Sequence, residues 1–200
     1  MSYFVYKTHM WPPLIGLSRV QKDLLEFFRP PTHESLDYKN WIAQLDLKTC
    51  FVCRSNHGKI YKNDEMPDDE PPVHNNCRCE MKNIEATTAG TATQDGVYGA
   101  DIAVKSTGRL PSNYITKEEA IDLGWISWQG NLDKVAPGKS IGGEVYQNRN
   151  GHLPQEVGRV WYEADINYDS GFRNTQRLIF SNDGLIFATY DHYMTFVQIQ

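Results

Sequence analysis

The sequence predicts an α+β fold: helices packed on an antiparallel β-sheet, preceded by a small irregular domain built around cysteine and histidine. Three observations carry this expectation. The tail from Arg159 to Gln200 alternates apolar and polar side chains between turn signals, the pattern of antiparallel strands. Thr116 to Trp125 reads as a capped helix. All four cysteines fall in two short clusters in the first half of the chain.

Taken in order, residues 1–48 open irregularly, with breaks at Trp11-Pro12-Pro13 and Arg29-Pro30-Pro31. Leu17 to Phe28 has helical spacing, with Leu17, Val20, Leu24, Phe27 and Phe28 on one side. Trp41 to Leu45 starts another short element. Ordinary packing explains all of these. With 40% hydrophobic and 22% charged residues, the composition is that of a soluble globular protein. No apolar run approaches the roughly 20 residues that span a bilayer. The start, MSYFVYKTHMWPPLIGL, lacks a basic segment followed by a clean apolar core, so no secretory signal is expected. Export would then need another route.

Between Lys48 and Glu80, Thr49-Cys50-Phe51-Val52-Cys53 meets Pro71-Pro72-Val73-His74-Asn75-Asn76-Cys77-Arg78-Cys79. A Cys-x-x-Cys pair with a distant His/Cys group suits tetrahedral zinc. The loop-rich sequence between them cannot build a good core alone, and a structural metal would offset that deficit. Two disulfides or free thiols are the alternative. Cys50, Cys53 and His74 are the first choices as ligands. Cys77 and Cys79 compete for the fourth place, and His57 is a weaker candidate. Residues 83–108 follow, and Thr, Ala and Gly dominate Thr87–Thr93. That composition predicts a flexible linker.

Beyond the linker, Thr116 is a natural N-cap, with Glu118 and Glu119 at the positive end of the helix dipole. Ala120, Ile121, Leu123 and Trp125 supply an apolar face, and Trp125, Trp128 and Trp161 read as core. Alternation over Val160–Asn167 puts Val160, Tyr162, Ala164 and Ile166 on one face. Trp161, Glu163, Asp165 and Asn167 fall on the other. Tyr168–Gly171 is a turn signal, and Ser181-Asn182-Asp183-Gly184 predicts a hairpin between Arg177–Phe180 and Leu185–Ala188. His192 falls just before a last strand, Thr195–Ile199. Strands in series would gather Glu163, Arg173, Arg177 and His192. A carboxylate, an imidazole and two guanidiniums can cleave a phosphodiester without a metal.

Four stretches carry a resemblance over nearly half the chain: LPSNYITKEEAIDLGW (110–125), GNLDKVAPGKSIGGEVYQNRNG (130–151), EADINYDSGFRN (163–174) and DHYMTF (191–196). In order and with natural spacing, they resemble the barnase-like family of small bacterial guanyl-preferring ribonucleases. The resemblance implies the microbial ribonuclease fold over 109–200, with Glu163 as base and His192 as acid. Lys117, Arg173 and Arg177 would hold the phosphate, with Asp165 pairing one arginine. The loop Tyr146, Gln147, Asn148, Arg149 and Asn150 would bind guanine, and Tyr193 would line the base or phosphate pocket. Asn150 stands where the family has a glutamate. A carboxylate accepts from both guanine N–H donors, whereas an amide accepts through one oxygen, so relaxed base preference is expected. From Arg109 to Gln200, eight Lys and Arg face eleven Asp and Glu, a net −3 where a basic field is more usual.

The family also implies metal-free cleavage of single-stranded RNA through a 2′,3′-cyclic phosphate, and a barstar-like acidic inhibitor or immunity protein as partner. A second resemblance, carried by TCFVC, HGKIY and PPVHNNCRC, is to the zinc-knuckle end of phage minor head proteins. It covers roughly residues 40–82 and implies a phage-derived module ahead of a toxin domain. Together the two resemblances and the linker composition give a leader over 1–86, a linker and degenerate first helix over 87–108, with Ala100–Val104 the weak candidate for the ribonuclease family's first helix, and a ribonuclease domain over 109–200. The expected location is outside the cell by a non-signal-peptide route, otherwise the cytoplasm with the inhibitor bound; a phage head or delivery apparatus is a further expected partner. The competing readings are an inactive head-associated structural protein with a nuclease-like fold, and a zinc-dependent nucleic-acid-binding module.

Overall fold

The computed structural model describes residues 38–67 and 70–200. The helical spacing expected over Leu17–Phe28 lies outside them. The described residues fall within a compact unit spanning Leu36–Gln200.

A three-stranded antiparallel sheet comes first, in the order β2-β1-β3. It comprises β1 (Tyr38–Ile42), β2 (Ile60–Lys62) and β3 (Glu80–Asn83). The element expected over Trp41–Leu45 is thus the end of a strand. Helix α1 (Phe51–Asn56) joins β1 to β2, capped at its start by the Cys50 thiol, which accepts from the Cys53 N–H at 3.3 Å. Trp41, Ala43 and Cys53 form a small core of their own.

The main sheet has seven strands in the order β4-β10-β9-β8-β7-β6-β5. These are β4 (Ala86–Thr87), β5 (Tyr114–Ile115), β6 (Ser140–Tyr146), β7 (Trp161–Asp165), β8 (Arg177–Ser181), β9 (Ile186–Thr189) and β10 (Val197–Ile199). The strands from β6 to β10 pair antiparallel, as the tail pattern predicted. Helices α2 (Ala100–Thr107), α3 (Lys117–Asp122) and α4 (Leu132–Val135) complete the α+β fold. The hairpin β8–β9 turns at Asn182-Asp183-Gly184, where Gly184 has φ +95°.

Residues 87–108 are not a linker. Thr87 pairs with Ile199, and the buried Asp101 carboxylate accepts from the N–H groups of Gly90 at 2.7 Å and Ala92 at 3.2 Å. Helix α2 is well formed and ends at Gly108 in the left-handed conformation. Small residues that read as flexible serve instead to let the chain fold closely around Asp101.

Alternation along β7 matches the expected faces, but both faces are covered. Ala164, Leu178, Ile186 and Ala188 bury against Ala100 and Val104 of α2. On the opposite face Trp161, Ile179 and Phe187 bury against Tyr38, Ile60, Ile84 and Leu153. Each buried Leu, Ile, Val or Phe among them contributes about 1.5–3 kcal/mol. Trp161 is therefore core, as read. Val160, assigned to the apolar face, lies before the strand and is exposed. Trp125 is buried, but Trp128 is 74% exposed, and Ile121 and Leu123 are largely exposed, since the short α3 buries only Ala120 fully. No helix of the described residues is long and apolar enough to cross a membrane.

Candidate active site

The polar end of one sheet face holds the site. In the register of β7, β8 and β9, Asp165 pairs with Arg177 and Arg177 with Thr189, while Glu163 pairs with Ile179. Directly opposed residues share a face. One face thus runs from a core of Trp161, Ile179 and Phe187 to a polar patch of Glu163, Asp165 and Arg177.

Asp165 anchors the patch. It is fully buried and takes a two-pronged contact from Arg173, Nε to Oδ2 and Nη2 to Oδ1, both at 2.6 Å. Arg177 Nε lies 3.0 Å from Oδ1 of the same carboxylate. Arg177 also donates through Nη1 to the Asn174 and Gln176 carbonyls, both at 2.7 Å. Such paired guanidiniums are held in place rather than free to sweep.

Lys117 reaches the patch from the first turn of α3. A capping box fixes that helix start: the Thr116 hydroxyl accepts from the Glu119 N–H, and the Glu119 carboxylate accepts from the Thr116 N–H. The Lys117 N–H donates to Glu144 at 2.8 Å, tying the helix to β6. Opposite β7, β6 carries a bulge between Gly142 and Glu144, with Gly143 at φ +95°. A Cβ on Gly142 would stand 2.7 Å from Ala164 and Tyr114 side-chain atoms, so the close packing of β6 on β7 requires glycine there. Sequence reading missed Glu144 as a positioning residue; its signal is the Gly-Gly-Glu bulge.

Lys117 Nζ donates to Glu163 Oε1 at 3.1 Å, and the Tyr193 hydroxyl donates to Glu163 Oε2 at 2.7 Å. Burial alone would raise the Glu163 carboxyl. The hydrogen bonds from Tyr193 and Lys117, with the charges of Lys117 and Arg173, outweigh burial and hold it below the ordinary glutamate range. Tyr193 is shifted upward by burial and by Glu163, so it remains a donor.

His192 is exposed and sits in the left-handed region at φ +60°, followed by Tyr193 at φ +67°. Two consecutive residues of this kind need support. Asp191 supplies it, accepting from the Met194 and Thr195 N–H groups at 3.1 and 2.9 Å, while Thr189 accepts from the Tyr193 N–H at 2.9 Å. The Asp191-x-x-x-Thr195 spacing is the sequence signal for this loop, and it went unread. The His192 and Tyr193 rings lie 5.1 Å apart, and Tyr193 stacks on Tyr146 at 5.3 Å. Tyr193 therefore touches Glu163, His192 and Tyr146, the last at the edge of the expected base loop.

In that loop Gln147, Arg149 and Asn150 are exposed. Asn148, expected to face the base, is buried: its amide donates to the Leu153 carbonyl at 2.8 Å and accepts from the Leu153 N–H at 3.1 Å. Its side chain shapes the loop and is not open to a ligand.

A second cluster gathers all five cysteine and histidine candidates. Cys50, Cys53 and His74 form one group and Cys53, Cys77 and Cys79 another, with ligand atoms in each within 4.8 Å of one another. His74 Nε2 lies 3.2 Å from Cys50 Sγ and 3.4 Å from Cys53 Sγ, and Cys53 Sγ lies 3.8 Å from Cys77 Sγ. A tetrahedron with arms of about 2.0–2.3 Å has edges of roughly 3.3–3.8 Å, so these donors could hold such an ion. His57 is elsewhere, its Nδ1 accepting from the Ala43 N–H at 3.0 Å.

An antiparallel sheet carries a cation-flanked carboxylate that is joined through Tyr193 to an exposed histidine, the groups of a small α+β protein equipped for acid–base chemistry. Comparison with known proteins narrows it. The sequence model described as ribonuclease matches residues 99–200. A ribonuclease of Bacillus intermedius is 49% identical over 136 residues, covering 68% of this chain and 82% of that protein. One from Bacillus pumilus is 57% identical over 114 residues, covering 57% and 68%, and one from Heyndrickxia coagulans 58% identical over 108 residues, covering 54% and 96%. The chain belongs to this ribonuclease family and is a ribonuclease.

Proposed function

We propose that the protein is an endoribonuclease toxin that cleaves single-stranded RNA by internal transesterification. Glu163 removes the proton from a ribose 2′-hydroxyl, and that oxygen attacks the adjacent phosphorus. His192, in its protonated form, donates to the departing 5′-oxygen. Lys117, Arg173 and Arg177 stabilise the extra charge on phosphorus. The product is a 2′,3′-cyclic phosphate, which water opens with the two roles reversed. The need for a 2′-hydroxyl makes RNA the substrate. The observation that carries this reading is the ionised, doubly hydrogen-bonded Glu163 beside Lys117 and the Asp165-locked arginines. Digestion of a defined RNA with its product ends mapped tests it: cyclic-phosphate ends are expected, and 5′-phosphate ends would overturn it.

Base preference is guanine, relaxed by Asn150. Zinc in the Cys/His cluster is structural, with Cys50, Cys53 and His74 as ligands and Cys77 or Cys79 completing the site; it takes no part in the chemistry. The donor spacing supports this assignment. A ribonuclease endangers its maker's own RNA, which supports a barstar-like inhibitor as partner. The leader's resemblance to phage head proteins supports delivery by such an apparatus rather than by a signal peptide.

A further inference from the structure

We propose that Lys59, from the segment ahead of the ribonuclease match, binds a backbone phosphate of the RNA outside the scissile linkage. This rests on the reading of residues 146–150 as the base loop. Three observations carry it.

The leader segment 56–62 is built against that loop. The Ile60 N–H donates to the His152 carbonyl at 2.6 Å, and Lys62 pairs with Glu156 at 2.8 Å. The His152 ring packs on Gly58, where a Cβ would stand 3.5 Å from Nε2. Lys59 lies between these contacts. Its Cε is 3.9 Å from where a Cβ on Gly151 would be, so the side chain runs along the end of the base loop. Its ammonium donates to the Asn56 amide oxygen at 2.8 Å, and among the described residues no carboxylate pairs with it. Lys62, three residues on, is already neutralised by Glu156.

A held, unpaired ammonium beside a base loop is a phosphate contact in waiting. The charge balance adds weight, because the region from Arg109 to Gln200 carries a net −3. Lys117, Arg173 and Arg177 point their charge at Glu163 and Asp165. Exposed Arg149 lies in the base loop itself, and Lys59 is placed to add attraction for the strand beyond it.

A dinucleoside monophosphate has only the scissile phosphate, whereas a longer strand has others. With the full chain, Lys59→Ala is expected to leave kcat and KM on a guanosine dinucleoside monophosphate unchanged. On a single-stranded octanucleotide it is expected to raise KM roughly three- to tenfold and to flatten the salt dependence of log(kcat/KM) by about 0.7. Lys59→Arg should restore most of the loss, and Lys105→Ala, on α2 at the other face, should match the unaltered protein. Equal losses on both substrates would mean that Lys59 only props the loop, and no loss on the octanucleotide would mean that it meets no RNA; either overturns the proposal. Arg149→Ala in parallel tests the base-loop reading separately: unchanged base preference would remove that reading while the Lys59 comparison still decides its own question.

Discussion

The phenol of Tyr193 donates a 2.7 Å hydrogen bond to Oε2 of Glu163. That bond favours the charged carboxylate and helps hold Glu163 below the ordinary glutamate range against the upward push of burial. Removing it in Tyr193→Phe raises the Glu163 carboxyl, so a larger fraction is protonated at mildly acid pH. The acid limb of the kcat/KM profile should move to higher pH, and activity at neutral pH should fall by no more than roughly tenfold. A profile recorded on a dinucleotide decides this; an unmoved acid limb would show that the phenol does not tune the base.

Loss of either proton-transfer partner should be more severe. Glu163→Ala and His192→Ala are each expected to lower kcat on a guanosine-containing dinucleotide roughly a hundredfold or more. Near-normal rates in either variant would reject the assignment.

Asp165 matters for folding as well as for placement of the arginines. Its carboxylate is fully buried between Arg173 and Arg177. Asp165→Ala leaves two largely buried cations without their partner and should destabilise the fold by about 3–5 kcal/mol in a urea melt. A midpoint equal to that of the parent protein would contradict the anchoring role.

Base choice can be read from one position. Asn150→Glu restores an acceptor pair for the guanine edge. The guanine-to-adenine ratio of kcat/KM should rise roughly tenfold, measured on paired dinucleotides. An unchanged ratio would place base reading outside this loop.

Purified protein should carry about one equivalent of zinc, measured by elemental analysis. Chelation should expose the thiols to a titrating reagent and leave dinucleotide turnover largely intact. Abolished turnover would count against the metal-free chemistry.

The parts of the fold legible in the sequence were those with strict local rules. The β8–β9 hairpin has an Asp-Gly turn between apolar runs, and α3 has a complete capping box. The pairing of Asp165 with an arginine was expected from the family resemblance. What could not be read depended on distant contacts. Thr87–Thr93 has the composition of a linker, yet Asp101, some ten residues on, gathers its N–H groups. Asn148 looks like a base ligand until Leu153 claims both ends of its amide. The polar face of β7 holds a buried Trp161 because Tyr38, Ile60 and Ile84 arrive to cover it. No spacing within β7 encodes that arrival.

Strand β4 lies parallel to β10, with Gln198 N–H bonded to the Glu85 carbonyl and Gln200 N–H to that of Thr87. The final strand is thus clasped by residues that lie ahead of the 99–200 stretch matched by the ribonuclease sequence model. A fragment trimmed to begin at residue 99 would bare that rim of amides and carbonyls, an open template on which a second copy could zip. Any excised nuclease intended to stay monomeric should therefore keep Glu85–Thr87.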